Sequence, residues 1–213
     1  MVRKQRLVHR SNYGNQRNLG SIKFIVIHYT ANDGDSDESN GNYFANNVTK
    51  TSAHYFVDSD SVTQTVPDNY IAYHCGTTGA YKHIACRNAN SIGIEICDDK
   101  KNGMVYPSTQ TIANAVQLTK ELMEKYNIPP ERVVRHYDVT GKKCPAYWVD
   151  DAAWKAEFWN QIAEPAQKEK EFQSAVEKLY QKGVINSPLY WRNNTTYSTE
   201  NVRLLICKIA KQL

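Results

Sequence analysis

The chain has 213 residues, 41% hydrophobic and 23% charged, with a formal net charge of +4. That length accommodates one large domain, or one domain with a small appendage, and buries a real core, which excludes wholesale disorder. The mild positive balance attracts anionic surroundings such as wall polymers, a membrane surface or DNA. The basic residues form no long arm, however, and no recognition motif accompanies them, so a nucleic-acid partner is not expected.

In chain order, MVRKQRLVHRSNYGNQRN is charged and is followed by no apolar stretch of signal-peptide type, and the run FIVI is too short to span a bilayer. Neither a signal peptide nor membrane insertion is expected. IKFIVIH, residues 22–28, reads as a buried central strand with His28 at its carboxyl end. Residues 39–48 suit a short helix, and 53–66 suit two strands around an Asp-Ser-Asp turn. SIGIEIC, residues 91–97, is a strand with Ile92, Ile94 and Ile96 on one face and Gly93, Glu95 and Cys97 on the other. Residues 108–128 carry a helical apolar stripe, with Ser108 or Thr109 as cap and Pro129-Pro130 as stop. VVRH is a short extended segment, and residues 148–163 form a Trp-bearing amphipathic helix.

Strands alternating with helices indicate an α/β fold, a central mixed sheet flanked by helices. A boundary is expected near Glu164-Pro165, where AQKEKE reads as a linker or the exposed start of a helix. The two parts are therefore 1–164, a catalytic domain, and 165–213, a small helical module. The five cysteines, Cys75, Cys86, Cys97, Cys144 and Cys207, form an odd set without a regular framework, which fits free thiols and a reducing compartment.

The chemistry concentrates in VVRHYDVTGKKCPAYW, residues 133–148, where His136 and Cys144 stand too far apart for a zinc knuckle. Hydrolytic zinc takes three protein ligands and leaves one position for water. His28, His136 and Cys144 supply that set if the loop folds back beside the end of the first strand. Glu95, off the isoleucine face, is the natural general base, and Lys142 or Lys143 would offset charge on an attacked carbonyl oxygen. His54 and His74 are candidates to line the cleft and touch substrate.

In this order, FIVIHYTAN, SAHYFVDSDSVTQTVPDNYIAYHCG, NANSIGIEI and RHYDVTGKKCPAYW resemble the zinc-dependent N-acetylmuramoyl-L-alanine amidases of phage-lysozyme and peptidoglycan-recognition type, over residues 20–162. The resemblance implies Zn²⁺ on His28, His136 and Cys144, Glu95 assisting the water, Lys142 stabilising the oxyanion, and bacterial peptidoglycan as the partner. It also implies a phage endolysin or prophage autolysin, made in the host cytoplasm and acting on the wall after release. Relatives often carry a tryptophan before the histidine of the YHCG segment, where this chain has Tyr73. More weakly, KLYQKGVINSPLYW resembles the helical tails of clostridial-type lysins and implies wall binding, with Tyr190, Trp191, Arg192 and Tyr197 as the stacking group. The rival readings are a non-hydrolytic peptidoglycan-binding module and a thiol hydrolase using Cys144. Oligomeric state is not legible.

Overall fold

The computed structural model describes residues 1–100, 103, 105–194 and 196–210, without the side chains of 164–170. Two compact units divide the chain, Met1–Ile162 and Ala163–Leu213.

The first unit opens with β1 (Val2–Gln5), β2 (Tyr13–Gln16), β3 (Phe24–Tyr29) and helix α1 (Asp37–Asn46). Strands β4 (Tyr55–Val57), β5 (Ser61–Gln64), β6 (Tyr70–Ala72) and β7 (Ser91–Ile96) follow, then α2 (Thr109–Tyr126), β8 (Val133–Arg135), the single turn α3 (His136–Thr140) and α4 (Asp151–Trp154). Six strands form one mixed sheet in the order β1-β5-β4-β7-β3-β8, while β2 and β6 form a separate antiparallel ribbon. The three neighbours β7, β3 and β8 are all parallel, so their carboxyl ends meet at one edge. The α/β class with a central mixed sheet and flanking helices is thus the one the chain adopts.

Alternation along β3 and β7 separates two jobs. Ile25, Ile27, Ile92, Ile94 and Ile96 join Ile112, Ala115, Val116, Leu118 and Leu122 of α2 in the main core. The opposite face carries Phe24 and Val26, which pack with Val134, Val139, Cys75 and Cys86. Ser108 caps α2 by accepting from the Thr111 amide, and Asn127, left-handed at φ 51°, ends it two residues before the prolines. Ser36 starts α1 with a capping box, ahead of the expected position. The expected helix over 148–163 is broken: Ala146–Trp148 is a 3₁₀ turn, Asp150 caps α4, and a π segment over Lys155–Trp159 follows. Trp154 and Phe158 stack with ring centroids 5.0 Å apart, and both are buried with Trp148.

Helix α5 (Asn160–Gln181) includes the AQKEKE stretch. In the second unit α6 (Pro188–Asn193) and α7 (Thr199–Ala210) complete the helices. Val176, Val184 and Ile185 form its small core, with Phe172, Leu179, Trp191, Leu205 and Ile209 packed on it. None of the five cysteines is in a disulfide. Among the described residues, no helix is long and apolar enough to cross a membrane.

Candidate functional site

Parallel register assembles the site. His28 on β3 lies opposite Glu95 on β7, and Phe56 on β4 lies opposite the same glutamate. Val26 pairs with Val134 on β8, two residues before His136. Parallel α/β sheets bind ligands beyond the carboxyl ends of their strands, where side chains leave the ladder and face a crevice.

Cys144 reaches the same place through a short folded loop. Arg135 heads the loop, its backbone N–H and guanidinium donating to Asp138 and its side chain also reaching Asp151 and the Trp148 carbonyl. Gly141, at φ +84°, ends α3 in a left-handed conformation that turns the chain back. The Tyr137 amide then donates to the Cys144 carbonyl at 2.9 Å, bringing His136 and Cys144 side by side despite their spacing. VVRH is therefore strand only to Arg135; His136 begins a helical turn.

One ligand atom each from His28, His136 and Cys144 lies within 4.8 Å of the others, and all three residues are buried. The Cys144 sulfur is 3.7 Å from His28 Nδ1, and the His28 and His136 ring centroids are 4.6 Å apart. Both His136 ring nitrogens are buried with no hydrogen-bond partner among the described residues. A buried imidazole left with neither donor nor acceptor satisfied costs stability, and a cation between these three groups would remove that cost. Two imidazoles and a thiol also make a coherent donor set for a borderline-soft divalent ion, so the residues fit a metal.

Protonation agrees. Burial, with His136 and His74 adding to it, holds His28 well below the usual imidazole range. Burial, followed by Lys142, lowers His136 to about 4. Both rings are neutral at pH 7, as ligands must be, and the 4.0 Å approach of His28 Nδ1 to Glu95 is not an ion pair. Burial pushes the Cys144 thiol up to about 12, with Glu95 adding to the effect.

Glu95 is raised to about 8 by burial and by Asp35 and Asp98, against the pull of Lys142. Its side chain keeps 21% of its exposure, and Oε2 has no partner among the described residues. The cluster opens into a cavity of about 780 Å³ also lined by Tyr29, Asp35, Tyr43, Phe44, Lys142 and Lys143. A carboxyl group, an ammonium group and a donor cluster thus share one crevice.

The two further histidines part company. His54 is fully buried and does not line the cavity. Its Nδ1 accepts from the Gly93 amide at 3.0 Å, and its Nε2 lies 3.1 Å from the Tyr70 carbonyl. The expectation that it touches substrate is therefore corrected: its ring is turned inward and ties the residue before β4 to Gly93 of β7. His74 does line the cavity, yet both ring nitrogens are engaged, with His28 and with Ser91. Sequence reasoning missed Asp35 and Phe44 as cavity walls, since neither belongs to a motif.

These features define an α/β protein with a buried two-imidazole, one-thiol cluster at the carboxyl edge of parallel strands, next to a carboxyl group of raised pKa. The family model described as N-acetylmuramoyl-L-alanine amidase matches residues 18–147, and the chain belongs to that family. It is 38% identical to N-acetylmuramoyl-L-alanine amidase CwlL of Bacillus licheniformis over 152 residues, 68% of this chain and 41% of the relative. It is 34% identical to N-acetylmuramoyl-L-alanine amidase BlyA of Bacillus subtilis over 156 residues, 68% and 42% of the two chains. The chain thus spans about two fifths of the length of these relatives. The solved catalytic domain of XlyA superposes with a TM-score of 0.62 at 30% identity, covering 76% of this chain and 100% of that one. PlyL superposes with a TM-score of 0.62 at 31% identity, covering 76% and 98%.

Proposed function

We propose that this chain hydrolyses the amide between the lactyl group of N-acetylmuramic acid and L-alanine in bacterial peptidoglycan, using zinc held by His28, His136 and Cys144. The convergence of these three residues beside Glu95 carries the reading, and the family membership supports the bond that is cut. When bound, zinc supplies Lewis acidity toward the scissile carbonyl and lowers the pKa of water.

The chain's own groups do the rest. Glu95, with one buried oxygen lacking a partner, takes the proton of the attacking water and returns it to the departing L-alanine amine. Lys142, whose charge already bears on Glu95, His28 and His136, offsets the charge gathering on the carbonyl oxygen. Tyr29, Tyr43 and Phe44 give the cavity apolar walls on which a sugar or peptide can rest.

The thiol-hydrolase reading is disfavoured by the Cys144 thiol itself: a nucleophilic cysteine is activated by a lowered pKa, whereas this one is raised to about 12. Ala163–Leu213 is proposed as a wall-directing unit, supported by a cleft of about 270 Å³ bordered by Tyr190 and Trp191. Part of the expected stacking group is committed to packing, since Trp191 stacks on Tyr197 at 5.0 Å and belongs to the small core. The setting we propose is a phage or prophage lysin.

The test is digestion of purified wall with metal-analysed protein, read by mass spectrometry of the fragments. Free L-alanine amino termini that disappear on chelation and return with zinc are expected. Cleavage at another bond, or cleavage that resists chelation and stops with a thiol alkylator, would overturn the assignment.

A further inference from the structure

We infer that His74 is a positioning residue: with Ser91 it fixes the tautomer of His28 and so aims the His28 Nδ1 lone pair at the ligand cluster. The inference rests on the metal reading proposed above and deepens it.

The chain of hydrogen bonds has one direction, because it ends on a group that can only accept. The Ser91 hydroxyl donates to the Arg87 carbonyl at 2.7 Å. Having spent its proton there, Ser91 Oγ receives one from His74 Nε2, 3.0 Å away. With its proton on Nε2, the His74 ring presents Nδ1 as an acceptor. That atom lies 3.0 Å from His28 Nε2, which therefore carries the His28 proton. His28 Nδ1 is left bare, facing the Cys144 sulfur at 3.7 Å and Glu95 at 4.0 Å. Reversing the chain would set a proton on Nδ1, between His28 and the other ligands, and would make His74 Nε2 and the Arg87 carbonyl compete for the single Ser91 proton.

A second observation bears on the ring itself. A Cβ at Gly93 would stand 2.6 Å from His74 Cγ and 2.8 Å from Nδ1, closer than carbon atoms approach. Position 93 is thus small because the His74 ring fills the space above it. The backbone is pinned as well, with the amides of His74 and Cys75 both donating to Asn88 Oδ1. Ser91, Gly93 and Glu95 alternate on one face of β7, so one strand sets the ring's proton, makes room for the ring and supplies the carboxyl group. Partners that orient a ligating histidine typically change metal affinity about 10–100-fold when removed.

The test reads tautomers and affinity, not turnover alone. In metal-free full-length protein, nitrogen-15 correlation spectra should show His28 and His74 both protonated on Nε2. By chelator competition, His74→Leu and Gly93→Ala should bind zinc about 10–100-fold more weakly than wild type. His74→Asn, whose Oδ1 can replace Nδ1 as acceptor, should recover most of the loss. A proton on His28 Nδ1 in the metal-free protein would overturn the inference whether or not any variant folds, since the spectra are taken on wild type, and wild-type zinc affinity in His74→Leu would overturn it as well. Absence of zinc binding by wild type would instead overturn the metal reading, while the tautomers still decide the role of His74.

Discussion

The Cys144 sulfur stands 3.7 Å from His28 Nδ1 across 116 residues of sequence. Two local devices make that approach: the parallel register that puts His28 at the edge of β3, and the Tyr137-to-Cys144 backbone bond that closes the loop after β8. Neither depends on the thiol, so removing it should leave the fold. Cys144→Ala, His28→Ala and His136→Ala are each expected to abolish wall lysis and to lose stoichiometric zinc by elemental analysis. Cys144→Ser is the sharper case, because a hydroxyl is nearly the same size and a far poorer ligand. Full activity in that variant would remove Cys144 from the metal site.

Metal uptake should also report the Cys144 proton. With the thiol raised to about 12 and both imidazoles neutral at pH 7, the thiol must lose its proton when it becomes a ligand. Zinc affinity should therefore rise with pH. Calorimetry in buffers of different ionisation enthalpy, run near pH 9 so that a buried carboxylate is ionised while the thiol is not, is expected to find about one proton more released by wild type than by Cys144→Asp. Equal release by the two proteins would mean that Cys144 is not a ligand.

Much of this site was legible because its residues sit in strongly patterned elements. The run around His28 and the alternation Ile92, Ile94, Ile96 fixed two strands and put Glu95 on the far side from the core. Strand β1 was not visible, since all four of its residues are exposed and it pairs at the sheet edge, leaving no buried face to pattern its sequence. The histidines show a different limit. A ring turned into the sheet, as at His54, and a ring at the cavity, as at His74, follow the same kind of short polar-apolar sequence. Only the pairing of distant strands decides which way each faces.

Glu95→Gln should separate chemistry from stability. Turnover is expected to fall by about a hundredfold or more, with zinc content unchanged, as for loss of a general base. In the metal-free protein the same change should stabilise at high pH. Glu95 is raised from 4.5 to about 8, so between those values the folded protein holds a proton that the unfolded chain has released. Stability therefore falls as pH rises through that window, and Gln, which does not titrate, escapes the loss. The variant should melt on the order of 5 °C higher than wild type at pH 9 and at the same temperature near pH 4.5. A gain that persists at pH 4.5 would point to packing instead.

Two adjacent lysines line the cavity, and Lys142 is the one whose charge acts on Glu95, His28 and His136. Lys142→Ala is expected to lower kcat on the order of a hundredfold, and Lys143→Ala much less. The reverse ranking, measured on soluble muropeptides, would assign the oxyanion role to Lys143.

The last prediction concerns Ala163–Leu213. The two units have separate apolar clusters, one built on the sheet and α2, the other on Val176, Val184 and Ile185. A cluster that is complete within one unit does not need the other to exclude water from it. A chain truncated after Pro165 should therefore fold, bind zinc and cleave soluble muropeptides at a rate close to that of the full chain. If the second unit directs the enzyme to walls, the truncated chain should stop sedimenting with intact peptidoglycan, and lysis of whole cells should fall far more than muropeptide cleavage. Tyr190→Ala in the full chain should weaken sedimentation in the same direction, because Tyr190 borders the cleft while Trp191 is packed into the core. Undiminished wall binding after truncation would locate recognition entirely in the catalytic cavity. Loss of zinc or solubility would make the second unit a structural support for the first.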